Sequence, residues 1–91
     1  MISRYKYHDL VWVDLERPSH EEVRQVMEEF EIHPIVADEL LTPSLRPKVD
    51  RYENFIYLIL HFPAIRHSHT NSSQEVDFII GKKFIITVRY E

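Results

Sequence analysis

The run Phe55-Ile56-Tyr57-Leu58-Ile59-Leu60 limits the folds open to this chain more than any other stretch. Six consecutive apolar residues, rich in aromatic and β-branched types and preceded by the polar pair Glu53-Asn54, are too few for a self-sufficient helix. They read as a strand that is apolar on both faces. Alternation assigns Phe55, Tyr57 and Ile59 to one face and Ile56, Leu58, Leu60 and Phe62 to the other. Both faces then need cover, and the strand is expected at the centre of a sheet.

The flanking segments supply only part of that cover. Ile2 to Tyr7 alternates weakly and reads as an edge strand ending at His8-Asp9. In Leu10 to Leu15, Val11, Val13 and Leu15 share one face and Leu10, Trp12 and Asp14 the other, the pattern of a half-buried strand. Ser19-His20-Glu21-Glu22 spells a capping box. Val23, Val26, Met27 and Phe30 follow it at helical spacing as one apolar stripe. His33-Pro34 starts a second short helix, because proline suits the first helical position; Val36, Ala37, Leu40 and Leu41 form its inner side, Asp38 and Glu39 face outward, and Thr42-Pro43 ends it.

The remainder reads as two hairpins. Lys48–Tyr52 pairs with Phe55–Phe62 across Glu53-Asn54, and Pro63 closes the second strand. Glu75–Ile80 pairs with Phe84–Tyr90 across Gly81, where a positive φ is the expected reason for glycine. Val76, Phe78 and Ile80 share one face of the first strand. Phe84, Ile86, Val88 and Tyr90 share one face of the second, with Thr87 and Arg89 on the reverse.

The order strand-helix-helix followed by a four-strand meander of two hairpins indicates an α+β fold, its sheet mixed or mostly antiparallel with helices packed on it. Two short helices cannot shield both sides of such a strand. One sheet face is therefore expected to be under-covered by residues 1–91, which points to a piece of a longer protein or to an obligate assembly.

Composition narrows the functional classes. Fifteen acids against eleven bases give a net charge of −4, which argues against nucleic acid as a partner, since phosphate contacts need clustered Lys and Arg. The chain has no cysteine, so neither disulfides nor thiolate metal sites arise. No segment approaches the roughly 18 to 20 apolar residues that cross a bilayer, and residues 1–91 read as a single soluble domain. Serines lie at the Ser19 cap and in loops, no Gly-rich phosphate loop is present, and the histidines are scattered. No catalytic constellation emerges, and an enzyme is not expected.

Several anchors carry a resemblance. Trp12-Val13-Asp14-Leu15, Pro18 and Glu21-Glu22 are followed by Phe30, His33-Pro34 and Asp38. Then come Arg46-Pro47-Lys48-Val49, Tyr52, the apolar strand, and Asp77-Phe78-Ile79-Ile80-Gly81-Lys82-Lys83-Phe84 with Thr87-Val88. In this order and spacing the chain resembles the cytosolic N-terminal domain of CorA-like divalent-cation transporters over nearly its whole length. The resemblance implies a homopentameric ion channel for Mg2+ or Co2+ at the cell membrane, with this domain on the cytoplasmic face. It also implies that the chain continues into further helices, a long stalk and two transmembrane helices with a Gly-Met-Asn motif. The role implied for residues 1–91 is structural and regulatory, in gating, without transport by these residues alone and without a stably bound cofactor; the partners are the stalk and transmembrane helices and the sister subunits. A free-standing protein-interaction module and a domain from the zinc-transporting branch of the family are the alternatives.

Two departures bear on sites. Lys83 stands where the family often has Asn. Carboxylates that bridge subunits in magnesium-sensing members include one just after the central strand, whereas here the segment reads Ala64-Ile65-Arg66-His67-Ser68-His69. Magnesium prefers carboxylate and water oxygens, so that sensing site is not carried over. His67 and His69 are candidate imidazole ligands, but structural and catalytic zinc sites take three or four protein ligands, and a solvated loop is the favoured reading. Glu28, Glu29, Glu31, Asp38 and Glu39 could together concentrate cations, but an ordinary solvated helix face is the favoured reading. Trp12 and Tyr57 read as core residues, and Asp14 as a side chain bonding to loop amides.

Overall fold

Ile2–Tyr7 (β1) folds back on Leu10–Glu16 (β2) through the two-residue connection His8-Asp9, in which His8 takes a φ of 56°. These strands belong to a computed structural model that describes residues 1–44, 46–64 and 72–90, and of Pro63, Ala64, Ser72 and Ser73 the backbone alone. After β2 come the helices His20–Phe30 (α1) and Pro34–Glu39 (α2), then the strands Lys48–Arg51 (β3), Ile56–Ala64 (β4), Ser72–Ile80 (β5) and Phe84–Arg89 (β6). The described strands form one sheet in the order β1-β2-β6-β5-β4-β3. Only β2 with β6 is parallel; the other pairs are antiparallel. The α+β architecture with a mixed sheet is the one the sequence pattern indicates, and the weakly alternating Ile2–Tyr7 is its edge.

Local chemistry accounts for the helix ends. The Ser19 hydroxyl accepts from the Glu22 amide at 3.2 Å, and the Glu22 carboxylate accepts from the Ser19 amide at 2.9 Å, so two orphan donors of the first turn are satisfied. The same bond from Ser19, with the adjacent terminal ammonium, lowers the pKa of Glu22. At the other end Glu31 adopts a left-handed φ of 56°, and the Ile32 amide returns to the Met27 carbonyl at 3.0 Å, turning Ile32 into the core. His33 Nδ1 accepts from the Ile35 amide and caps α2, whose Pro34 stands at the start.

Both helices lie on the same sheet face. Val23 and Val26 of α1 and Val36, Ala37 and Leu40 join Val13, Leu15, Tyr57, Ile59, Ile79, Ile86 and Val88 in one core. Burying each large side chain contributes roughly 1.5 to 3 kcal/mol. The pairing register accounts for this membership, since Tyr57 faces Ile79, Ile79 faces Ile86, and Ile86 faces Val13 across successive strands.

Three local readings are corrected. The apolar strand is internal but not central: β6 and β5 hold the middle, and β4 is second from the edge. It also runs past Pro63 to Ala64. Proline is tolerated there because β3 pairs only with Ile56–Ile59, and a missing amide costs nothing on an edge. Gly81 has no positive φ; a Cβ at that position would overlap the ring of Phe84. That ring is held from the other side by Phe30, with centroids 4.8 Å apart.

Ser19→Ala should lower stability by about 1 kcal/mol through loss of the cap, read as a lower denaturant midpoint with unchanged slope. Gly81→Ala should cost about 1–3 kcal/mol, because the Phe84 ring cannot retreat from an added methyl without displacing Phe30; thermal unfolding of the two variants checks both values.

Candidate functional site

The strand alternation that fills the core also places a second apolar set on the opposite face, where no described helix lies. Trp12, Ile56, Phe62 and Ile80 are 44, 40, 43 and 38% exposed there. Tyr5, Tyr7, Leu10 and Val49 are more open still, and Leu58, Leu60, Val76 and Phe78 are half-buried. Ile56 faces Ile80 and Leu58 faces Phe78 in the register of β4 with β5. The expected under-covered face is thus present, and the strand that reads as apolar on both sides has only Phe55, Tyr57 and Ile59 enclosed.

A polar strip crosses the middle of this face. Asp14 accepts from the Thr87 hydroxyl at 2.8 Å and from Arg89 Nη2 at 2.7 Å, while Arg89 Nη2 also reaches Glu16 at 3.3 Å. Trp12 donates its indole N–H to Thr87 at 2.9 Å and packs on Tyr5 with centroids 4.7 Å apart. Asp14 therefore bonds to side chains of β6 rather than to loop amides. Trp12 belongs to the open face rather than the core, because its phase matches Asp14 and not Val13. Tyr57 is buried, as the sequence implies. Beside the strip, Tyr5, Tyr7, Leu10, Trp12 and Ile85 border an apolar groove of about 260 Å³.

The acidic candidates do not converge. Glu29 is held by both Arg4 guanidinium nitrogens at 2.6 and 2.7 Å, and Glu39 by Lys48 at 3.0 Å, while Lys48 also contacts Asp50 at 3.1 Å. Asp38, Glu28 and Glu31 are exposed. Among the described residues no group of three or more His, Cys, Asp or Glu side chains is arranged to hold a metal ion. His67 and His69 lie outside the described residues. No described helix is long and apolar enough to cross a membrane.

Sequence reasoning missed the pairing of Asp14 with Arg89 and a buried Asp77. The spacing carried a usable signal for the first: Asp14 and Arg89 occupy the polar phase of two strands that alternate in step.

Comparison with known proteins follows the same outline. The profile of a family described as CorA-like Mg2+ transporter protein matches residues 7–91. A putative metal ion transporter, YfjQ of Bacillus subtilis, is 28% identical over 88 residues, covering 94% of this chain and 27% of that protein. The cobalt/magnesium transport protein CorA of Thermotoga maritima is 34% identical over 65 residues, covering 70% of this chain and 18% of that protein. The soluble domain of CorA from Methanocaldococcus jannaschii shares the fold with a TM-score of 0.72 at 18% identity, over 91% of this chain and 32% of that one. The chain spans about a quarter of the first relative's length.

An open apolar face should bind an apolar fluorescent dye and drive weak self-association of the 91-residue chain, measured by sedimentation velocity across a concentration series. Ile56→Lys with Ile80→Glu, an opposed pair across β4 and β5, should abolish both effects while leaving the melting temperature within a few degrees.

Proposed function

Because the chain belongs to the CorA-like Mg2+ transporter family, we propose that residues 1–91 form the N-terminal, cytoplasmic-face module of a longer transporter for Mg2+ or Co2+. The module packs and gates; it does not conduct. One observation carries this reading: a sheet with both helices on one side and exposed Trp12, Ile56, Phe62 and Ile80 on the other. Patches of that kind on soluble domains mark surfaces that a partner covers.

The occupant we assign to this face is the remainder of the same polypeptide, with sister subunits of a homopentamer completing the enclosure. The match to 27% and 18% of the first two curated relatives agrees with an attached segment. A covalently joined cover has a high effective concentration, which suits an open face with a polar strip that would bind a free partner only weakly. Paired as they are with Arg4 and Lys48, Glu29 and Glu39 serve here to dock the helices onto β1 and β3 rather than to hold a cation. Mg2+ and Co2+ enter as transported ions.

The test is to express the complete reading frame in bacteria that lack their own divalent-cation transporters and to measure Mg2+ and Co2+ uptake, with the 91-residue chain as control. Uptake with the full frame and none with the control is the expected result. A stop codon directly after Glu91, or a full frame that restores neither ion, would overturn the reading in favour of a free-standing interaction module.

A further inference from the structure

The core opposite the open face contains one cluster that neither packing nor ion transport explains. Asp77 and Glu75 are two residues apart on β5 and point to the same side. Asp77 is fully buried and the Glu75 side chain is 5% exposed. On Asp77, Oδ2 accepts from the Tyr57 hydroxyl at 3.1 Å and from the Tyr90 hydroxyl at 2.8 Å. On Glu75, Oε1 lies 3.3 Å from His61 Nε2, which is also 3.3 Å from the carbonyl of Ser44 in the loop after α2. The remaining oxygens, Asp77 Oδ1 and Glu75 Oε2, are both buried and reached by no donor among the described residues.

Two carboxylates on the same side of β5, each with an unsatisfied oxygen in the core, would each bear a desolvation cost and repel. A single hydrogen placed between them satisfies both oxygens and removes one charge. Among the described residues the surroundings offer no better remedy. From β3, Lys48 lies 5.2 Å from the centre of the Tyr57 ring, but it is committed to Glu39 of α2 and to Asp50. From β4 come Tyr57 and His61, and beyond β6 comes Tyr90, so the facing groups among the described residues are two phenols, one imidazole and a lysine already neutralised.

We propose that Glu75 and Asp77 share one proton at neutral pH and form a proton-binding site whose emptying loosens the corner made by α2, its following loop and the loop end of the β4–β5 hairpin. The route is short. Glu75 holds His61, and His61 holds the Ser44 carbonyl. Loss of the proton to solvent leaves two adjacent negative charges, and the pair can relieve them only by opening toward water. Burial, reinforced by the hydrogen bond and the charge of Glu75, pushes the Asp77 carboxyl up to about 8, against the opposing bonds from Tyr90 and Tyr57. The folded value stands above the unfolded one, so the contribution to stability is complete in acid and is lost as pH rises through about 8.

The test uses the 91-residue chain labelled with 13C at Asp and Glu side-chain carboxyls. Wild type should show one carboxyl of the pair titrating near pH 8, and the signal should vanish in both Asp77→Asn and Glu75→Gln. Amide exchange at Leu40 and Leu41 should report opening constants that rise up to about tenfold per pH unit from roughly pH 6 to 8, and Glu75→Gln should flatten that slope because its amide donates to Asp77 without a titrating proton. Both wild-type carboxyls titrating below about pH 5, or an equal exchange slope in wild type and Glu75→Gln, would overturn the proposal; if Asp77→Asn does not fold, Glu75→Gln alone decides it.

Discussion

The parallel pairing of β2 with β6 is the constraint from which the rest of the molecule follows. Two parallel neighbours cannot be joined by a tight turn, so the chain between them has to leave the sheet and return. Both helices fall in the first leg of that excursion, between β2 and β3, and end on one side of the sheet in a single core. Among the described residues no element lies on the other side. One-sided cover is thus a consequence of connectivity, and the apolar residues of β4 and β5 divide into an enclosed set and an exposed one according to phase alone.

The same pairing explains the polar strip on the open face. Asp14 stands opposite Thr87 and Glu16 opposite Arg89 in the β2–β6 register, so the contacts Thr87–Asp14 and Arg89–Glu16 link strands distant in sequence. A slip of one residue would carry Asp14 into the core in place of Val13 and expose the latter. The strip therefore gives register to a pairing that has no hairpin to fix it. Its interaction energy is modest, because Arg89 is half exposed and such pairs are screened by solvent.

Periodicity made the elements and the shortage of helices legible, while side-chain phase was legible only in part. Val23, Val26, Val36 and Leu40 occupy the positions that their spacing implies, since a helix stripe has one interpretation. Strands that are apolar on both faces have two. Val76, Phe78 and Ile80 look as fit for a core as Ile79, and nothing local shows that Asp77 shares the inner side with Ile79. Trp12 misleads for a related reason: its size suggests burial, while its indole N–H is satisfied by Thr87 on the open side. At Gly81 the usual conformational argument for glycine gives way to contact with Phe84, a fact of tertiary packing that no turn rule contains.

The loop end of the β4–β5 hairpin is where the two faces meet. β3 reaches only as far as Ile59 and β6 only as far as Val76, so among the described residues His61–Ala64 and Ser72–Glu75 pair only with each other. A two-stranded ribbon is marginal in water, and this one carries exposed Phe62 on its outer side, next to half-buried Leu60. Its inner side begins with His61 and Glu75, which tie it through Ser44 to the loop after α2. A cover that reached only the middle of the sheet would leave the ribbon's free edges and Phe62 in water, an arrangement prone to edge pairing with other copies. Among the described residues the ribbon is steadied from its inner side, where His61 Nε2 lies within 3.3 Å of both Glu75 and the Ser44 carbonyl.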